Sequence, residues 1–412
     1  MKDPIEETGE ELAPPAAAAL GLAFVVALVA LFILQPGARI PLLIVVGLVA
    51  MVMFHEAGHY LFARRTGMKA TEFFVGFGPR IWSFRRGETE YGVKAIPAGG
   101  YVRIIGMSNI EEVEPGDEDR TYRSKPFRSR LLVVVAGVSI NLLLAFLLFW
   151  IAFVGQGRPT GPTTTVGEVT EESPADLAGL REGDRVVSIA GQPIDEWDQI
   201  STTLEGRADE PTTVVVERDG RSMQLASEPA ARSAGSDDGC LGIGTRVEYT
   251  DLGVGTGGLE AGETMVTGAR ATAAGIGDLF TPSGVSEYAD NFTEDGEDRE
   301  NPCVSAVGNR PVSIIGIVSI GSESVGDNLW QLLYLLGVIN LLLALFNLIP
   351  LLPFDGGHAA IAVYETIVGR VTGRPEYRAD FRKMIPVSAA VLILFLVLAI
   401  SAAVLDVRYI TR

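Results

Sequence analysis

His55, Glu56 and His59 fall within one run of five residues, His55-Glu56-Ala57-Gly58-His59. On a helix, positions four apart share a face, so two imidazoles at this spacing can grip one metal ion. The glutamate between them can reach a water on that ion and act as a general base. The pattern is short and arises often by chance. Two features give it weight. It sits in an apolar stretch, where ionisable side chains are costly and seldom kept without a task. The chain also has only three histidines, and two are here. A hydrolytic zinc takes three protein ligands and leaves a fourth position for water. No third histidine follows just downstream, and two cysteines without a Cys-x-x-Cys spacing exclude a cysteine zinc site. The remaining candidates are Asp355 and His358, in Asn347-Leu-Ile-Pro-Leu-Leu-Pro-Phe-Asp355-Gly-Gly-His358. Pro350 and Pro353 end a helix there, and Gly356 and Gly357 permit a sharp turn.

The elements that must carry these residues are membrane helices. The 412 residues are 48% hydrophobic with a mean hydropathy of +0.29, yet the formal charge is -18. Both hold only if apolar and acidic residues are segregated. Five runs lack charge: Ala16–Leu34, Ile40–Phe54, Leu131–Val154, Leu329–Phe354 and Pro386–Leu405. A bilayer core takes about 20 apolar residues of helix, and the second run reaches that length by continuing through the His55–His59 motif. Acidic residues precede the first run where a signal peptide needs basic ones, so it reads as a retained helix. Helix breaks at membrane depth are tolerated only inside protein or beside water, which would let the Asp355 carboxylate turn back toward a metal.

Charge orients the helices. Residues 64–130 hold 13 Lys and Arg, and Arg370, Arg374, Arg378, Arg382 and Lys383 cluster after Asp355. Residues 155–328 hold 11 basic against 31 acidic residues. Basic loops mark the cytoplasmic side, so residues 64–130 and 365–385 are expected inside and 155–328 outside. Only five of 33 basic residues are lysine, a composition that suits a high-salt environment. Residues 165–228 read as short strands, one helix near Trp197–Leu204, and a turn at Asp219-Gly220. Residues 229–328 are rich in Gly, Ser and acids and read as loosely structured, above all Ser283–Glu300. Whether Cys240 and Cys303 pair is left open.

The run Ser173-Pro-Ala-Asp-Leu-Ala-Gly179-Leu180, with Gly183-Asp184 after it, resembles bacterial-type PDZ domains, which bind extended peptides by strand addition. The chain as a whole resembles the site-2 protease family of intramembrane metalloproteases, in its PDZ-containing branch. The resemblance rests on HEAGH, on NLIPLLPFDGGH, on FVGFGP (74–79) and IPAGGYVRIIGM (96–107) between them, and on VAGVSIN (135–141), where the family often has Pro in place of Val138. It implies that Asp355, not His358, is the third zinc ligand beside His55 and His59, with one zinc per chain. It implies that Glu56 is the catalytic base, and that Gly99, Gly100 and Asn347 lie where substrate backbone is held. It places peptide binding by the PDZ-like unit near Gly179 and Leu180.

The expected architecture is an α-helical polytopic membrane protein with a membrane-associated β-hairpin and a small α+β PDZ-like extracytoplasmic domain. Its expected segments are an acidic N-terminus with an extra helix (1–39), the first part of the catalytic core (40–160), the PDZ-like domain (161–228), an acidic extracytoplasmic segment (229–328) and the second part of the core (329–412). The expected function is zinc-dependent proteolysis in or near transmembrane segments of membrane-anchored proteins, in the cell membrane, with the active site toward the cytoplasm. The lipid bilayer, membrane-protein substrates and an upstream site-1-type protease are the expected partners; nucleic acid is not. The competing readings are a catalytically silent membrane scaffold that binds peptides, which would not need Glu56, and a zinc transporter, which would carry a His-rich loop that this chain lacks.

Overall fold

A computed structural model describes residues 30–108, 111–231, 237–279, 281–293, 312–374 and 377–410. Most of the first apolar run, Ala16–Leu34, lies outside the described residues. Among the described residues, four helices are long and apolar enough to cross a membrane: Pro36–Arg65, Phe127–Gln156, Leu329–Asn347 and Arg382–Arg408. They correspond to the other four runs read from the sequence. The described residues group into two units.

The first unit holds the membrane helices. Helix α1 (Arg39–Arg65) carries the His55–His59 motif, and it ends where Arg64 and Arg65 face the partial negative charge of its last turn. The hairpin β1 (Ala70–Arg86) and β2 (Thr89–Ile104) follows. Each strand bends, so one stretch of β1 is flanked on both sides: Phe73 pairs with Val102 on one side and Tyr91 on the other. Residues 100–104 thus form an outer edge, with no third strand against them among the described residues. Helix α2 (Phe127–Gln156) packs its start onto α1 and the hairpin base through Ala63, Met68, Ala70, Ile104, Tyr122, Val133 and Val134. These buried side chains fix where the hairpin leaves the helices.

The rest of the chain departs from the expectation of a loose region between 229 and 328. Before it, the second unit holds β3 (Arg158–Val169), α3 (Pro174–Ala178), β4 (Arg185–Ile189), β5 (Gln192–Pro193), α4 (Asp198–Leu204), β6 (Thr212–Arg218), β7 (Arg221–Ser227), β8 (Ala230–Ala231), β9 (Gly239–Cys240) and β10 (Ile243–Thr250). The main sheet runs in the order β10-β3-β4-β6-β7. The folded sheet therefore extends past the expected boundary at 228, because β10 pairs along β3 from Ile243–Val169 to Thr250–Arg158. Beyond it, α5 (Val254–Leu279), α6 (Pro282–Thr293) and α7 (Ile314–Val325) are helical. Glycine and serine lowered the apparent helix propensity there, and in α7 burial against other helices offsets it. In α7 the residue Val325 is buried with Ile44 of α1 and with Leu332 and Leu336 of α8 (Leu329–Asn347). Residues 294–300, the remainder of the Ser283–Glu300 stretch, lie outside the described residues. The chain ends with α9 (Asp355–Val371) and α10 (Phe381–Ile410). Cys240 is disulfide-bonded; the other cysteine, Cys303, is outside the described residues.

The second unit's core takes alternating residues of β6, Val214 and Val216, together with Val186 and Ile189 of β4, where a register shift breaks the alternation; all four are fully buried. The turn expected at Asp219-Gly220 is present: both residues have positive φ, as a two-residue hairpin requires. Arg218, just before it, donates to both Asp184 oxygens at 2.7 Å and to the Gly179 carbonyl at 2.7 Å. Asp184 also accepts from the Arg181 amide at 2.8 Å. Burial pushes the Asp184 carboxyl up, but the Arg218 and Arg181 hydrogen bonds outweigh it and hold the group below its ordinary value. A depressed folded-state value stabilises the fold above the unfolded carboxylate range, near pH 4, and that contribution fades as pH falls below it. Asp184→Asn should therefore destabilise this unit by roughly 1.5–3 kcal/mol at neutral pH. Hydrogen exchange at β4 and β6 amides should show faster opening, with the gap to wild type closing as the pH drops below about 4.

Candidate metal centre

Two structural devices bring the ligands together. The first is the contact of α1 with α2. Gly58 and Gly137 face each other there: a Cβ on Gly58 would lie 2.9 Å from the Ala136 carbonyl oxygen, and one on Gly137 would lie 2.5 Å from His59 Nε2 and 2.8 Å from His55 Cε1. The imidazoles occupy the space that any side chain at 137 would fill. The second device is the turn before α9. The helix α8 ends at Asn347, and residues 348–354 fold back so that Asp355 is the first residue of α9. A side chain on Gly356 would collide with the Leu348 and Ile349 carbonyls, and one on Gly357 would lie 2.5 Å from the Leu352 nitrogen. The paired glycines are thus needed for close approach, and they deliver the Asp355 carboxylate to the two histidines.

His55 Nε2 and His59 Nε2 are 3.1 Å apart, and Asp355 Oδ2 is 3.0 Å from the first and 3.1 Å from the second. Both histidines are more than nine-tenths buried. His59 Nδ1 lies 2.8 Å from the Val133 carbonyl. A carbonyl only accepts, so Nδ1 carries the proton and Nε2 presents its lone pair to the cluster. Lone pairs of an imidazole and a carboxylate held this close repel unless a proton or cation lies between them. Ligands of a tetrahedral zinc sit about 3.3–3.5 Å apart, within a few tenths of the triangle seen. Two imidazoles and a carboxylate are also a zinc donor set, so the residues fit the ion.

Glu56 lies on the same helix, and its Oε2 accepts from the Val102 amide at 2.9 Å. That amide belongs to the outer edge of β2. Gly100 is two residues away on the edge, and a Cβ there would meet the Met53 sulfur at 2.7 Å, so the edge runs close along α1. Gly99 has φ +132 and adjoins Phe77. Asn347 donates from Nδ2 to the Leu343 carbonyl of its own helix at 3.0 Å. His358 is not part of the ligand cluster; one turn beyond Asp355, it faces a small cavity with Met107, Tyr122, Arg130 and Glu365. In the second unit, Leu180 is 3% exposed and belongs to the core, while Gly179 closes α3 in a left-handed conformation. Both lie in the loop that follows α3.

Several contributors escaped sequence reading as individuals. Val133, Gly137 and Asn141 recur every four residues on α2 and so line one face. Asn141 and Asn340 are polar, fully buried and inside membrane helices, a cost that could have marked them. Arg130 and Glu365 form a buried ion pair at 2.5 Å, and Glu365 also accepts from the Ala379 amide at 2.8 Å.

A model of the family described as Peptidase family M50 matches residues 43–395. The chain belongs to peptidase family M50. This bears out the resemblance to the site-2 proteases. Among similar proteins, the zinc metalloprotease Rip1 of Mycobacterium tuberculosis is 34% identical over 379 residues, covering 83% of this chain and 91% of Rip1. Rip1 of Mycobacterium bovis shows the same figures, and Rip1 of Mycolicibacterium smegmatis is 33% identical over 362 residues, covering 79% of this chain and 85% of the relative. This M50 member is a multi-pass membrane protein and a zinc metalloprotease, with the His55, His59 and Asp355 cluster able to bind the ion.

With one three-ligand cluster among the described residues, purified protein should hold about one zinc per chain. Elemental analysis should show the zinc lost in Asp355→Ala and retained in His358→Ala. Gly137→Ala should also lose it. Alanine favours the helix by up to about 1 kcal/mol over glycine, but its methyl group would displace the His59 imidazole.

Proposed function

We propose that this protein cleaves membrane-anchored proteins in or near their transmembrane segments, with His55, His59 and Asp355 as zinc ligands and Glu56 as general base. The observation that carries the reading is the meeting of Glu56 with the outer edge of β2 beside the ligand triangle. Zinc, when bound, polarises a peptide carbonyl and lowers the pKa of water. The chain's own residues do the rest. Glu56 takes a proton from the attacking water and passes it to the leaving amine. Its bond to the Val102 amide aims the carboxylate and ties it to the strand edge. A transmembrane helix hides its peptide bonds in its own hydrogen bonds, so the substrate must unwind before cleavage. An unwound stretch can then add to the edge at residues 100–104 by main-chain pairing. Gly99 and Gly100 keep that edge narrow, and Asn347 is the proposed further contact to substrate backbone.

The finer assignments rest on charge and chemistry. The sheet of the second unit is a PDZ-like peptide-binding domain on the extracytoplasmic side. The Cys240 disulfide supports this side, since disulfides persist in oxidising compartments. The basic ends of α1 and α2 support a cytoplasmic side for the hairpin and the zinc site. A PDZ-like unit there would admit substrates already trimmed by a site-1-type protease.

Glu56→Gln keeps the shape of the side chain and removes the proton acceptor. Zinc content should be unchanged and cleavage should fall by about 10²–10⁴-fold. Near-wild-type cleavage would rule out Glu56 as the base, and absence of cleavage by the wild type itself would leave the scaffold reading standing. For topology, an impermeant thiol reagent applied to intact cells should label a cysteine introduced at Asp219 and spare one at Arg85. The opposite pattern would move product release to the other face.

A further inference from the structure

The two zinc histidines are served unequally by α2. His59 Nδ1 donates to a main-chain carbonyl, which settles its tautomer. Among the described residues, the hydrogen-bonding group against His55 Nδ1 is the Asn141 carboxamide, whose nitrogen lies 3.2 Å away. In that orientation Asn141 donates to Nδ1, and the ring proton must then sit on Nε2, the atom that faces His59 and Asp355. A ring protonated on Nε2 cannot ligate a metal through Nε2. In the same orientation Asn141 Oδ1 is buried with no hydrogen-bond partner. An unsatisfied buried acceptor costs about 1–3 kcal/mol. A half-turn of the carboxamide removes the first conflict and gives Oδ1 a partner in His55 Nδ1–H, because oxygen and nitrogen exchange places.

We infer that Asn141 is a positioning residue for the metal centre: its Oδ1 accepts from His55 Nδ1–H and holds the tautomer that offers Nε2 to zinc. The inference rests on the zinc assignment of His55 and His59. The α2 face then serves both ligands alike, with the Val133 carbonyl one turn before Gly137 and the Asn141 side chain one turn after it. Asn141 is itself fastened: its main-chain oxygen accepts from Asn340 Nδ2 of α8 at 2.7 Å. Both asparagines are fully buried, so neither can trade its protein partner for bulk water. A metal-bound histidine needs such an outer acceptor to fix its orientation and raise its basicity.

The test is zinc affinity, read by chelator competition on the full-length protein in detergent. Asn141→Leu keeps the volume and removes the acceptor, and should weaken zinc binding about 10–100-fold. Asn141→Asp supplies an obligate acceptor at the same place and should retain wild-type affinity. Wild-type affinity in the leucine variant overturns the inference, as does equal weakening in both variants, which would assign the role to the Nδ2 donor that both lack. Should the leucine variant fail to fold, wild-type protein labelled with 15N-histidine decides. It has three histidines, so the rings can be resolved. In the zinc-loaded form His55 should carry its proton on Nδ1; a proton on Nε2 overturns the inference. Absence of zinc from wild-type protein would instead refute the metal assignment itself.

Discussion

Three electron pairs meet in a space that apolar helices surround. His55 Nε2, His59 Nε2 and Asp355 Oδ2 lie 3.0–3.1 Å from one another, with both imidazoles buried and the carboxylate nearly so. That arrangement is repulsive by itself, and low local dielectric sharpens the repulsion. A cation at the centre reverses its sign. The need to hold the cluster together accounts for the features around it: glycines where α1 meets α2, a turn that reverses the chain before Asp355, and polar partners for each imidazole.

Helix α2 supplies the wall. Its Val133, Gly137 and Asn141 positions present a carbonyl, a gap and a carboxamide at successive turns. Helix α9 brings the third ligand, and its rotation must be set if Asp355 is to point correctly. The buried Arg130–Glu365 pair does that, joining the start of α2 to α9 three turns beyond Asp355. A buried pair adds little net stability over an apolar substitute, yet losing one partner strands a charge at about 3–5 kcal/mol. Its value lies in registry, since a slip of α9 would break the pair and misplace the carboxylate together.

The hairpin links the chemistry to substrate form. An outer strand edge is a hazard in most proteins because it invites further strands. Here the edge at residues 100–104 is directed to the centre, and Glu56 occupies one of its amides. The same main-chain groups that would pair with an added strand thus lie in contact with the base. On the proposed function, an extended substrate and a correctly aimed carboxylate become parts of one arrangement.

Much of this was legible in the residues. Apolar runs located the spanning helices, and a helical spacing of four put His55 and His59 on one face. Proline and glycine marked the break before Asp355, and Asp219-Gly220 announced its turn. These signals are local, set by backbone geometry over a few positions. The helices between 254 and 325 were hidden because glycine and serine weaken propensity, and in α7 the burial that offsets this, Val325 against Ile44, joins residues far apart in the chain. The choice between Asp355 and His358 could not come from spacing, since both follow the same break; on α9 they part, Asp355 lying beside the two histidines at the first residue and His358 a turn later. Likewise Asn141, Gly137 and the Val133 carbonyl acquire their meaning only from the approach of α1. The sequence by itself determined which groups could bind metal and which stretches cross the membrane, because those depend on composition and short-range period. Only the tertiary structure decided which lone pairs converge and what orients them, because that depends on distances between helices that no local pattern encodes.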